Sequence, residues 1–246
     1  MNNLYGRNPI CEALKAFREI KKIIISETSH GPVITEIISL AQKQNVEVVR
    51  LQQIKFDKLQ NSEKSQGVMA EAAEHIFVTI ETLFAIAKSK NENPFFVIFD
   101  EIEDPHNLGA LIRTALCCGA HGGIIPKHHT APINQTVAKT SSGAIEHFPL
   151  ARVSNIVSTI DSLKEENITV IGTEMNAKTS FTNFDLNIPI AIIIGNEGRG
   201  MRKIVMEHCT DVVKIPMSPL FDSLNASVAG GIVMYETFRQ RINSTK

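Results

Sequence analysis

The chain is poor in the features that announce metal, disulfide or membrane chemistry. It has four cysteines, Cys11, Cys117, Cys118 and Cys209, and none stands in a CxxC spacing or beside histidines at zinc-ligand intervals. That pattern excludes the common zinc folds and predicts free thiols. His128-His129 lacks a further ligand at suitable spacing, so it reads as a polar loop and no metal is expected. No apolar run approaches the ~18 residues that a membrane-spanning helix requires. The start shows no basic segment followed by an apolar core, so no signal peptide is expected and the cytoplasm is the expected compartment. Charge of either sign is not in excess: 25 Lys and Arg face 26 Asp and Glu, a net charge of −1. A long basic footprint of the kind a nonspecific polyanion binder carries is therefore excluded. Also missing is a G-x-G-x-x-G after the first strand-like run, the pattern of dinucleotide-binding folds.

What remains is an ordinary globular composition, 43% hydrophobic and 21% charged over 246 residues, enough chain for a sizeable core. Helical spacing over 8–18 and 33–44 alternates with short apolar runs at 23–25, 46–49 and 67–70, which predicts a small α/β unit over 1–72 closed by a Gln66-Gly67 turn. Residues 73–93 carry one helical stretch, 80–88, and the polar run before Pro94 marks a boundary. From 94 to 246, runs at 95–99, 123–125, 168–172, 190–194 and 212–215 show little polar alternation, as strands of a parallel sheet covered on both faces do. Helices are expected between them at 107–118, 135–141, 154–166, 202–207 and 226–241, so the fold class is α/β. The first 72 residues carry ten basic against eight acidic side chains and the rest fifteen against eighteen, a slight asymmetry that favours the first part for contact with a polyanion. Lys15, Arg18, Lys21 and Lys22 suit either a phosphate grip or a solvated helix end.

Three stretches carry chemistry. In Asp104-Pro-His-Asn-Leu-Gly-Ala-Leu-Ile-Arg113 a buried-looking strand enters a turn and an amphipathic helix, which places polar groups at a strand's carboxyl end, where open α/β sheets bind ligands. Arg113 lies off the apolar stripe of Leu108, Leu111, Ile112 and Ala115 and leans back toward the helix start. By itself it reads more simply as a surface ion-pair partner. Ile194-Gly-Asn-Glu-Gly-Arg-Gly-Met201 follows a late strand, and its glycines suit either backbone recognition of a flat ligand or a plain tight turn. Ile215-Pro-Met-Ser-Pro-Leu-Phe-Asp-Ser-Leu-Asn-Ala-Ser-Val-Ala229 closes the last strand and opens a helix of small residues, with Ser223 readable as a helix cap.

In order and separation these stretches resemble the three motifs of the SpoU/TrmH RNA 2′-O-ribose methyltransferases. Leu4-Tyr-Gly-Arg-Asn-Pro-Ile-Cys-Glu-Ala-Leu14 and Ser65-Gln-Gly-Val-Met-Ala70 resemble the added N-terminal domain of the RlmB branch, which acts on a guanosine ribose of 23S rRNA. The resemblance implies a SPOUT catalytic domain with a deep trefoil knot at 94–246, preceded after a 73–93 linker by a small L30e-like α/β RNA-binding domain at 1–72. It implies S-adenosylmethionine as cofactor, with Gly195, Ile215, Leu224, Thr173 and Met217 as its binding residues. Asn107, Arg113, Glu197, Ser223 and Asn225 match the polar positions of the catalytic motifs. Arg113 would activate the 2′-hydroxyl, as a base or as an electrostatic stabiliser of the alkoxide, because a guanidinium is a poor base. Glu197 would position Arg113 and Asn107 would orient Arg113 or the ribose. A homodimer through the catalytic domain, with the 226–235 helix at the contact, is also implied. Rivals are a tRNA guanosine methyltransferase, an antibiotic-resistance rRNA methyltransferase, and a catalytically silent ribosome-assembly factor.

Overall fold

A computed structural model describes residues 2–59, 65–218, 220 and 223–244. The chain divides into two compact units, residues 1–76 with 133–147, and residues 77–132 with 148–246. The sequence had led us to expect a continuous second domain from 94 onward; instead a segment from its midst folds with the first unit.

In the first unit, strands β1 (Asn2–Tyr5), β2 (Ile20–Ser26), β3 (Glu47–Leu51) and β4 (Val68–Ala72) form a sheet in the order β1-β4-β2-β3. Only β2 and β3 run parallel; β4 is antiparallel to both β1 and β2. Helices α1 (Arg7–Lys15) and α2 (Pro32–Lys43) pack on each other, and α3 (Gln53–Leu59) buries Phe56. β1 and α3 were not expected. β1 is a four-residue edge strand stabilised by its pairing with β4, a non-local contact that no local pattern signals. The turn before β4 requires glycine: Gly67 has φ +73°, and any β-carbon there would collide with the Ser29 hydroxyl.

The second unit begins with α4 (Ile80–Ser89), β5 (Phe95–Phe99), α5 (Pro105–Cys117) and β6 (Gly122–Pro126). The chain then contributes α6 (Gln135–Thr140) and a 3-10 turn (Ala144–Glu146) to the first unit. It returns as β7 (Leu150–Val153), α7 (Ile156–Glu165), β8 (Thr169–Thr173), β9 (Thr179–Ser180), β10 (Ile190–Ile194), α8 (Lys203–His208), β11 (Asp211–Lys214) and α9 (Ala226–Ser244). The sheet order is β7-β6-β5-β10-β8-β11-β9, and every pairing is parallel, as the apolar runs predict. The short edge strands β7 and β9 escaped the sequence reading. β5 and β10, the neighbours at mid-sheet, are buried at every residue.

One face of the sheet packs Phe96, Ile98, Ala191 and Ile193 against Leu83 of α4, Ile156 and Ile160 of α7 and Val205 of α8. Helices α5 and α9 lie against each other. Their approach depends on Gly230, whose added β-carbon would sit 2.5 Å from Leu111 and 3.2 Å from Ile194. Among the described residues no helix is long and apolar enough to cross a membrane.

Candidate active site

Parallel pairing brings the carboxyl ends of β5, β10, β8 and β11 to one edge of the sheet, where Asp100, Gly195, Thr173 and Ile215 leave their strands. A cavity of about 390 Å³ opens there, within the roughly 300–1,000 Å³ range of small-molecule sites. All five residues expected to bind a cofactor, Thr173, Gly195, Ile215, Met217 and Leu224, line it. Ala226 and Ala229 of α9 add a wall of small side chains, and Glu174 and Glu197 supply carboxylates.

The loop after β10 is a tight closed turn. Asn196 and Gly200 exchange two backbone hydrogen bonds, at 3.1 and 2.9 Å, and Gly200 has φ +66°. The Asn196 side chain accepts from the amides of Gly198 and Arg199 at 3.0 and 3.2 Å and donates to the Glu101 carbonyl at 2.9 Å. A β-carbon at Gly195 would stand 2.5 Å from the Met201 nitrogen and 2.6 Å from the Gly200 carbonyl carbon, so the turn admits no larger residue.

Asp104 caps α5 by accepting from the amides of His106 and Asn107 at 3.1 and 3.4 Å, which holds Asn107 in the first helical turn. Asn107 joins all three motifs. Its amide donates to the Glu197 carboxylate at 3.0 Å, and its carbonyl oxygen accepts from the Asn225 amide at 3.1 Å. Asn225 in turn accepts from the Ser227 amide at 2.9 Å and so caps α9. With both polar ends of a nearly buried Asn107 engaged, its rotamer is fixed and the motifs keep a set spacing. Ser223 is exposed on the cavity lining. Arg113 is exposed on α5 and is not among the lining residues. Pro219, Phe221 and Asp222 of the third motif lie outside the described residues.

The sequence reading missed the residues that hold this turn from behind. The Asp100 carboxylate, 1% exposed, receives Arg202 through Nη2 at 2.6 Å and Nε at 3.3 Å. Arg202 also meets Glu101 at 3.2 Å, and its hydrogen bond to the Asp100 carboxylate raises the affinity of Arg202 for its proton. The only sequence signal was the acidic run Asp100 to Asp104 at a strand end, which composition alone cannot distinguish from a solvated loop.

Residues 94–235 match the SpoU rRNA Methylase family, and residues 4–78 match the RNA 2′-O ribose methyltransferase substrate binding family. The chain belongs to the SpoU rRNA methylase family. YacO of Bacillus subtilis, named for the TrmH family of tRNA/rRNA methyltransferases, is 43% identical over 236 residues, which cover 96% of this chain and 94% of that protein. A relative of the same family name from Staphylococcus aureus (strain MSSA476) is 41% identical over 238 residues, covering 97% of this chain and 96% of that one. Among solved structures, the SpoU methyltransferase AviRb from Streptomyces viridochromogenes in complex with AdoMet superposes with a TM-score of 0.82 at 25% identity, over 98% of this chain and 90% of that one. In this SpoU methylase, then, the matched methylase region carries the whole cavity, and the matched substrate-binding region lies in the first unit.

Proposed function

We propose that the protein is a cytoplasmic, S-adenosylmethionine-dependent methyltransferase acting on a ribose 2′-hydroxyl, of a guanosine in 23S rRNA. The observation that carries this reading is Asn107, bonded to Glu197 and Asn225, which draws the three motifs together beside the cavity. The residues present fit the cofactor. The cavity has the volume of a small-molecule site, its Gly195 backbone is open to a flat adenine, and Glu174 and Glu197 offer negative charge to a cation. Bound there, S-adenosylmethionine would supply an electrophilic methyl group on a sulfonium.

The chain's own contribution is alignment and charge. Gly195, Ile215 and Leu224 would hold the adenosine through their backbones, and the small residues of α9 would let it approach. Arg113, outside the cavity lining, would address the ribose and not the cofactor, either taking the hydroxyl proton as a deprotonated base or stabilising the alkoxide as a guanidinium while that proton passes to water. Glu197 and Asn225, fixed through Asn107, and Ser223 complete the polar rim. Residues 1–72 supply RNA affinity and target choice, supported by the match of residues 4–78 to the substrate-binding family and by their ten basic against eight acidic side chains. The active form is a homodimer through the catalytic region, supported by the exposed apolar stripe of α9.

Incubating the protein with labelled cofactor and separate rRNA and tRNA pools, then mapping 2′-O-methyl nucleotides by mass spectrometry, tests the reading. A single 2′-O-methylguanosine in 23S rRNA is expected. Labelling confined to tRNA would replace the target, and labelling of neither pool would remove the activity.

A further inference from the structure

The Gly195–Gly200 turn is closed on itself by the Asn196–Gly200 pair, so its position depends on what grips it from outside. Three grips come from the segment that follows β5. The Glu101 carbonyl takes the Asn196 side chain, Glu101 and Glu103 approach Arg199 at 3.6 and 4.0 Å, and Asp100 takes the two-bond fork of Arg202. Glu101 holds φ +58°, a left-handed conformation that a glutamate adopts only where its surroundings over-determine it. The same segment runs directly into Asp104 and the first turn of α5. It therefore measures the distance between the cavity wall at Gly195 and the helix that carries Asn107 and Arg113.

The strongest grip is the Asp100–Arg202 pair. Asp100 is almost wholly buried, whereas Arg202 is 40% exposed and stands at the N-cap of α8, two residues after the turn. A bidentate pair fixes direction as well as distance, which a single bond does not. We propose that Arg202, through Asp100, is a positioning residue of the cofactor site, holding the Gly195–Gly200 turn so that the cavity is formed before the cofactor arrives. The inference rests on the cofactor reading above. It predicts a cost in cofactor binding, with transfer intact once the site is filled.

The test compares wild type, Arg202→Gln and Arg202→Lys by calorimetric titration with S-adenosylhomocysteine, together with KM for cofactor, KM for RNA, kcat and Tm. Arg202→Gln should raise the Kd for S-adenosylhomocysteine and the cofactor KM by about tenfold or more, the scale on which losing outer-shell support acts. The KM for RNA should hold, and kcat at saturating cofactor should stay within about threefold. Arg202→Lys should fall between, because an ammonium restores the charge without the fork. A lowered Tm with unchanged Kd and cofactor KM would make the pair purely structural and overturn the proposal. Should Arg202→Gln fail to fold, Arg202→Lys carries the same comparison. Failure of wild type to bind S-adenosylhomocysteine would instead overturn the cofactor reading, and the proposal with it.

Discussion

Asn107 and Arg113 stand six positions apart on one helix and sit in different surroundings. Asn107 is nearly buried, with its amide and its carbonyl both committed to other motifs, so it acts by fixing Glu197 and Asn225. Arg113 is exposed and does not line the cavity. Arg113→Ala should therefore abolish methyl transfer while leaving the Kd for S-adenosylhomocysteine nearly unchanged. A methylation assay run beside calorimetry reads both quantities, and transfer within a few-fold of wild type would remove Arg113 from the mechanism.

At the scale of elements, the segment 133–147 shows how far an element's partners lie from its neighbours in sequence. α6 and the following 3-10 turn bury Val137, Ala138 and Ile145 in the first unit. Glu146, its side chain 3% exposed, accepts from Arg18 at 2.6 Å, while Arg18 also donates twice to the Ala73 carbonyl. Burial pushes the Glu146 carboxyl up, and Arg18 opposes that shift. Arg18→Ala would leave a buried carboxylate uncompensated, at a cost of about 3 kcal/mol. Urea unfolding followed by circular dichroism should show this loss, and adding Glu146→Gln should recover most of it.

Helix α9 carries a second titration. Arg239 donates to Glu236 through two bonds of 2.7 Å and holds its carboxyl below the usual range, with burial opposing. A depressed folded-state pKa means stability that is present above the unfolded value of about 4.3 and lost as pH falls through the folded value. Between about pH 6 and about pH 3 the urea midpoint of wild type should therefore fall further than that of Glu236→Gln; equal falls would show the pair to be inert.

At the scale of the whole molecule, α9 presents an exposed apolar stripe. Val228, Tyr235 and Ile242, at 49%, 61% and 45% exposed, recur every seven residues and so lie along one stripe of the helix. Phe181 and Ile232 border the shallow pocket beside that stripe. A twofold contact would bury the same stripe on both chains. Light scattering at micromolar concentration should give twice the chain mass of 27.1 kDa. A mass near the single-chain value would refute the dimer, and Tyr235→Glu should shift a true dimer toward monomer.

The sequence by itself determined the local and periodic features. Unbroken apolar runs could satisfy their backbones only inside a covered parallel sheet, so β5, β8 and β10 were legible, as were the helices between them. The three motifs were legible through their resemblance to those of the SpoU/TrmH family, which implied the cavity wall at Gly195, Ile215 and Leu224; taken alone, the same residues read as a tight turn and a helix cap. Tertiary structure alone decided what depends on distant partners. β1 exists because β4 pairs with it, and residues 133–147 join the first unit because their apolar side chains find cover there. Asp100 and Arg202 are 102 positions apart, and nothing in either one's surroundings names the other. A buried charge selects its partner by geometry that exists only after the strands have assembled, and for that reason the grip on the cofactor turn could be seen only in the folded chain.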